Sequence, residues 1–182
     1  MDEQTRRARF EEIAPALIEP LRRFLARRTD AATAEDVLAE TLLVCWRRVA
    51  ELPERPLPWA YAVARNCLAN AERGARRQQR LAARIAVVDP PAAVQPGPGE
   101  RDGAGRDAEV VEALGRLREQ DAELLRLWAW EQLGAAEIAT VLDLTPNAAG
   151  IRLHRARQRL REELRKSDLP AGHDGVQEGR AP

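Results

Sequence analysis

Residues 133–165, LGAAEIATVLDLTPNAAGIRLHRARQRLREELR, decide the fold. Residues 135–142 carry apolar side chains at helical spacing. They meet a tight turn at Asp143-Leu144-Thr145. A second helix opens at Thr145-Pro146, where Thr145 can cap the free backbone N–H groups and Pro146 suits the first helical position. Arginine then recurs along that helix. Helix, tight turn and capped basic helix make a helix-turn-helix, whose second helix is built to enter the DNA major groove.

Working outward, charge is the next informative quantity. The chain has 29 basic and 29 acidic residues among 182, which argues against a nucleic-acid partner until the charges are located. Residues 1–85 hold 16 basic and 12 acidic side chains, and residues 146–166 hold 7 and 2. Residues 107–145 reverse the balance, with 3 and 9. Two basic segments therefore flank an acidic one, and it is local charge that attracts phosphate. Lys166 is the only lysine; arginine grips phosphate or guanine edges with paired hydrogen bonds.

Ala and Leu dominate the apolar content, and only two Phe and one Tyr are present, which favours helices over a large sheet. Residues 10–25 place Phe10, Ile13, Leu17, Ile18, Leu21 and Leu25 at helical spacing, with a kink or break expected near Ala14 because Pro15 and Pro20 intervene. Thr33 and Asp36 resemble a capping box opening a helix that runs to about Ala50. Pro53, Pro56 and Pro58 make residues 51–58 a stiff loop, followed by a helix from Trp59 to about Arg84. Residues 86–106 contain four Pro and four Gly with little periodicity, the composition of a flexible linker. Helical spacing resumes before the helix-turn-helix, and residues 167–182 read as a disordered tail.

The expected fold is all-α: an N-terminal three- or four-helix bundle over 1–85, a linker over 86–106, and a four-helix domain with the helix-turn-helix over 107–166. The N-terminus lacks the apolar core of a signal peptide and no apolar run nears the ~18 residues of a membrane span. The expected location is the cytoplasm, without membrane insertion. Cys45 and Cys67 are not spaced as ligands and read as buried free thiols. No metal, cofactor or catalytic grouping is indicated, and His154 and His173 are the only histidines.

Two surfaces carry the functional signal. Ala149, Leu153, Ala156, Leu160 and Leu164 share the packing face of the last helix, whereas Arg152, Arg155 and Arg159 share another, with His154 beside them. The second surface is the run Arg73, Arg76, Arg77, Arg80 and Arg84, without an acid among residues 73–84. The same helix begins with Trp59 and Tyr61 and bears Arg65 and Asn66. Cations follow phosphates, and aromatics and loop pockets hold unstacked bases. Glu35, Asp36 and Glu40 open the second helix and Arg47-Arg48 close it, a polarity that also suits the helix dipole.

Three stretches together resemble the bacterial RNA polymerase sigma factors of the extracytoplasmic-function type, in the sigma-70 family. They are TAEDVLAETLLVCWRR (33–48), PWAYAVARN (58–66) and RLHRAR (152–157). The resemblance covers residues 10–166 and implies a promoter-specificity subunit. Its N-terminal module would dock on the clamp coiled coil of core RNA polymerase through Asp36, Glu40, Trp46, Arg47 and Arg48. Arg55, Arg65, Asn66, Arg73, Arg76, Arg77 and Arg80 would read the minus-ten element and hold a flipped base of single-stranded DNA. Thr145, Asn147, Arg152, His154, Arg155 and Arg159 would read the double-stranded minus-thirty-five element. The linker would thread near the RNA exit path, the polymerase flap is a second implied contact on core enzyme, and an anti-sigma factor is a further implied partner. One departure stands out: the family's "glycine-threonine-valine-lysine/arginine-serine" run is replaced by Asn147-Ala148-Ala149-Gly150-Ile151.

Two other readings compete. A free-standing helix-turn-helix regulator would bind DNA as a dimer and need a symmetric interface and a bipartite operator. A helical enzyme with an appended DNA-binding domain would need a deep polar pocket in residues 1–85.

Overall fold

The structure is a computed structural model that describes residues 2–85 and 106–168. The expected linker, apart from Arg106, and the tail from residue 169 onward lie outside the described residues. Among the described residues every regular element is helical. Helix α1 spans Glu3–Ala26, α2 Ala31–Arg47 and α3 Leu57–Ile85, with a 3₁₀ turn at Val49–Glu51. In the second half, α4 spans Arg106–Arg116, α5 Glu119–Ala129, α6 Ala135–Leu142 and α7 Pro146–Asp168.

Helix α1 runs unbroken through Pro15 and Pro20, so that no break falls near Ala14. Each proline strips a partner from the carbonyl four residues earlier, at Glu11 and Ala16. Both of those residues are exposed, so water can satisfy the freed carbonyls. Leu17, Leu21, Phe24 and Leu25 meanwhile hold the opposite face in the core. The cap of α2 is also different from the expected one. Asp30, rather than Thr33, receives the first turn: its carboxylate accepts the Thr33 N–H at 3.0 Å and the Thr33 hydroxyl at 2.7 Å. These bonds hold the Asp30 carboxyl below its ordinary range. Helix α2 stops at Arg47, and Val49 reaches the core from the 3₁₀ turn.

The helix-turn-helix is built as its local signals require. Asp143 ends α6 in the left-handed region, at φ 53°, and the Leu144 N–H closes the turn on the Ala139 carbonyl at 2.9 Å. Aspartate tolerates that conformation better than most side chains. Thr145 Oγ1 accepts the Ala148 N–H at 3.2 Å, and Pro146 is the first residue of α7. Ala149, Leu153 and Ala156 are buried on the inner face of α7, while Leu160 packs at its edge. Helix α7 continues to Asp168, two residues into the stretch expected to be tail.

Helix α3 packs on α6, and the end of α1 meets the turn that joins α5 to α6. Buried side chains of both halves form one contiguous apolar cluster. The two modules are therefore packed on each other, whatever course the connecting segment takes.

Candidate nucleic-acid interface

The basic stretch of α3 emerges from the bundle into solvent. Its first half buries Ala60, Tyr61, Ala64, Cys67 and Leu68, but residues 75–82 are all exposed. A helix that leaves its core is not held by packing, so its side chains are available for other work. Arg73, Arg76, Arg77 and Arg80 line one concavity with Asn70. Arg73 donates to the Asn70 side-chain oxygen, and Arg76 pairs with Glu72 at 2.9 Å. Arg65 and Asn66 lie exposed two turns closer to the start. Arg55 stands in the loop before α3, 82% exposed, and its guanidinium reaches Glu137 of α6 at 2.7 Å.

On α7, Asn147, Arg152, His154 and Arg155 are exposed on the outer side. Thr145 is occupied as the helix cap. Arg159 lies on the same sequence-derived face but folds back to Asp121 of α5, whose carboxylate is only 13% exposed. Its first duty is to tie α7 to α5. Arg157 does similar work, lying over the Trp128 ring at 4.5 Å from the centroid.

The residues expected to face polymerase divide in the same manner. Asp36, Glu40 and Arg47 are exposed along α2. Trp46 is partly buried, edge-on to Phe10 with ring centroids 5.4 Å apart, so it braces α2 against α1. Arg48 pairs with Glu51 at 2.6 Å and sits 5.8 Å from the Trp59 ring centroid.

An ion cluster that local sequence patterns miss joins the modules. Glu131, just after α5, has a side chain 3% exposed. Its carboxylate accepts from Arg27 at 2.7 and 2.8 Å, from Arg28 at 3.3 Å and from the Tyr61 hydroxyl at 3.5 Å. Arg28 is itself 10% exposed, stacked 3.6 Å from the centroid of Phe24, and reaches Glu123 at 3.3 Å. Burial, and next the Glu131 carboxylate, push the Tyr61 phenol up to about 12, which keeps it a neutral donor. Glu137 adds a second tie: it accepts the Gly134 N–H at 2.9 Å, capping α6, while pairing with Arg55. The partners tied across the modules lie 70 to 104 residues apart in the chain, beyond the reach of any periodicity argument. The acidic balance of residues 107–145 was the one available hint.

Cys45 and Cys67 are buried free thiols, as expected. Burial pushes Cys45 up to about 11 and raises Cys67 as well.

A folded pair of helical modules, one ending in a helix-turn-helix and each bearing an exposed arginine surface, defines a DNA-reading transcription protein. Comparison with known proteins agrees. Residues 107–160 match the family described as Sigma-70, region 4. The chain is 30% identical over 164 residues to the ECF RNA polymerase sigma factor SigL of Mycobacterium tuberculosis, covering 88% of this chain and 89% of that protein. It is 30% identical over 168 residues to the RNA polymerase sigma factor CarQ of Myxococcus xanthus, covering 88% and 91%. Against the probable RNA polymerase sigma factor RfaY of Xanthomonas campestris, identity is 32% over 145 residues, but the chain spans only 36% of that protein. The fold is similar to that of the sigma factor RpoE in its complex with the anti-sigma factor NepR from Bartonella quintana, with TM-score 0.59 and 20% identity. That likeness covers 86% of this chain and 96% of the other.

The chain belongs to the RNA polymerase sigma factors of the extracytoplasmic-function type. Members of this family bind core RNA polymerase and direct promoter recognition and transcription initiation. The free-standing dimeric regulator has no counterpart among these relatives.

Proposed function

We propose that residues 1–85 dock on polymerase and open the minus-ten element, and that residues 107–166 read the minus-thirty-five element. The observation that carries this reading is the distribution of arginine. Four acids of residues 107–145, Asp121, Glu123, Glu131 and Glu137, are taken up by Arg159, Arg28, Arg27 and Arg55. The α3 extension and the outer face of α7 keep their exposed cations, on two different modules.

The division of labour follows from energetics. Extruding a base costs a few kcal/mol, and holding it in a cationic groove offsets that cost without fuel. Arg65, Asn66, Arg73, Arg76, Arg77 and Arg80 would supply this groove, with Arg55 at its mouth once it leaves Glu137. Asn147, Arg152, His154 and Arg155 would face base edges and phosphates of the duplex, with Thr145 and Arg159 holding α7 in place. Two weak contacts joined in one chain gain effective concentration only when their separation fits both sites, and mounting on polymerase would fix it. Asp36, Glu40 and Arg47 are the docking residues of α2, with Trp46 and Arg48 setting the shape of that surface; the clamp coiled coil and the flap are the expected contacts on core enzyme.

An anti-sigma factor is the expected regulator, supported by the RpoE–NepR complex to which the fold is similar. Among the described residues no helix is long and apolar enough to cross a membrane, which fits action in the cytoplasm. As a specificity subunit the chain has no catalytic step of its own.

The test is transcription in vitro from fragmented genomic DNA with purified chain and core polymerase, followed by sequencing of the transcripts. Shared upstream elements before the start sites are the expected result. Transcription that stays at the level of core enzyme alone would overturn the reading.

A further inference from the structure

Among the described residues five large apolar side chains are markedly exposed: Leu43, Leu81, Trp128, Trp130 and Ile151. Isolated exposed apolar groups are ordinary on any surface, so location must distinguish them. The two tryptophans carry arginine lids, Arg157 over Trp128 and Arg27 over Trp130 at 5.6 Å. Ile151 is different. It is 46% exposed on the outer side of α7, immediately before Arg152 and one turn before Arg155.

We propose that Ile151 is a base-specificity residue of α7, taking the C5-methyl group of a thymine in the major groove. The inference rests on the assignment of α7 as the duplex-reading helix and deepens it. Asn147, Ile151 and Arg155 follow one another at intervals of four residues, each exposed, and each turn of the helix advances about 5.4 Å. An amide, a branched alkyl group and a guanidinium thus stand in a row. Those are the groups suited to adenine, to the thymine methyl and to guanine. Arg152 and Arg155, which follow Ile151, supply the attraction to the phosphate-lined groove that an alkyl group cannot.

Helix stability gives Ile151 no reason to be there. An exposed β-branched residue is a poorer helix former than alanine, and its apolar surface gains nothing until water is displaced from it. Its branching restricts the side chain largely to one rotamer in a helix, so little freedom remains to be lost when a methyl group packs against it. Neighbouring Gly150 does not serve as the reader, since it has no side chain; a Cβ added there would meet Ala135 at 3.9 Å, an ordinary contact.

The experiment uses polymerase holoenzyme containing the full chain. Duplexes are first selected from a pool with a randomised upstream segment, and each thymine of the selected element is then replaced singly by deoxyuridine, which removes only the methyl group. At one position uracil should weaken binding by about three- to fivefold, the effect of one buried methyl. Ile151→Ala should lose that sensitivity, and Ile151→Val should keep part of it. Because Ile151 is exposed, helix content by circular dichroism should be unchanged in both variants. Indifference of the wild type to every uracil, or an unaltered uracil profile in Ile151→Ala, removes Ile151 from the reading face while leaving the assignment of α7 intact. Failure to enrich any upstream sequence overturns that assignment and this inference together.

Discussion

The seam between the modules and the outer faces of α3 and α7 are made from the same residue, used in opposite ways. At the seam, Arg27 and Arg28 are spent: their charge is matched by Glu131 and Glu123, with Arg28 and both carboxylates largely shielded from water and Arg27 at the edge. On the outer faces, Arg77, Arg80, Arg152 and Arg155 stand exposed. What separates the two is the placement of acids from residues 107–145, which answer the structural arginines. A chain with 29 charges of each sign can therefore present two cationic surfaces.

The largest expected effect tests the seam. Glu131→Ala leaves two arginines and a phenol facing an empty site, and should weaken inter-module packing by about 3 kcal/mol. Tyr61 is the only tyrosine, so its ultraviolet titration reports on the seam directly. The midpoint should fall from about 12 toward the ordinary 10 in this variant, with a larger radius of gyration by X-ray scattering. A phenol that titrates unchanged would show that Glu131 is not what closes the seam. The sign for the wild type follows: a phenol whose pKa is raised in the folded state contributes its full stabilisation below about 10 and loses it as pH climbs through about 12.

The outer faces should respond in the reverse manner. Arg73→Ala, Arg76→Ala and Arg77→Ala combined should leave the melting temperature within a degree or so of wild type, because this end of α3 is exposed. The slope of log affinity against log salt for the promoter complex should meanwhile drop by about two, the value for three single-strand phosphate contacts. A large thermal shift would mean these arginines are structural after all.

Asp121→Ala falls between the two regimes. It frees Arg159 and should cost about 1–2 kcal/mol in denaturant unfolding, whereas Arg155→Ala should cost almost nothing there and about 1–3 kcal/mol in promoter binding. Equal unfolding costs for the two would erase the distinction between tied and free arginines on α7. The smallest effect is a gain: Asp143→Gly relieves the left-handed backbone at φ 53° and should add about 0.5–1 kcal/mol to stability.

The helix-turn-helix was legible in the sequence because each of its signals is local. Thr145, Pro146 and the apolar spacing of α6 act over a few residues, and the structure uses each as expected. Pro15 and Pro20 do not end α1, because the rule against proline in helices is also local. It says nothing of where the freed carbonyls point, and here they lie on an exposed face. Arg159 shows the limit of helical faces as guides: spacing puts it beside Arg155, but its long side chain turns back to Asp121, 38 residues earlier. The Glu131 cluster was beyond such reasoning, since its members meet only after the modules pack.

The buried thiols have a practical consequence. Cys45 and Cys67 are enclosed in the N-terminal core, and at neutral pH the Cys45 sulfur is overwhelmingly protonated. Maleimide dyes or spin labels would therefore couple to a cysteine introduced on the exposed end of α3 or on α7 well before they reached either native one. Paired probes can be attached without first emptying the core of sulfur, and the separation of the two reading surfaces can be followed in real time as polymerase takes hold of the chain.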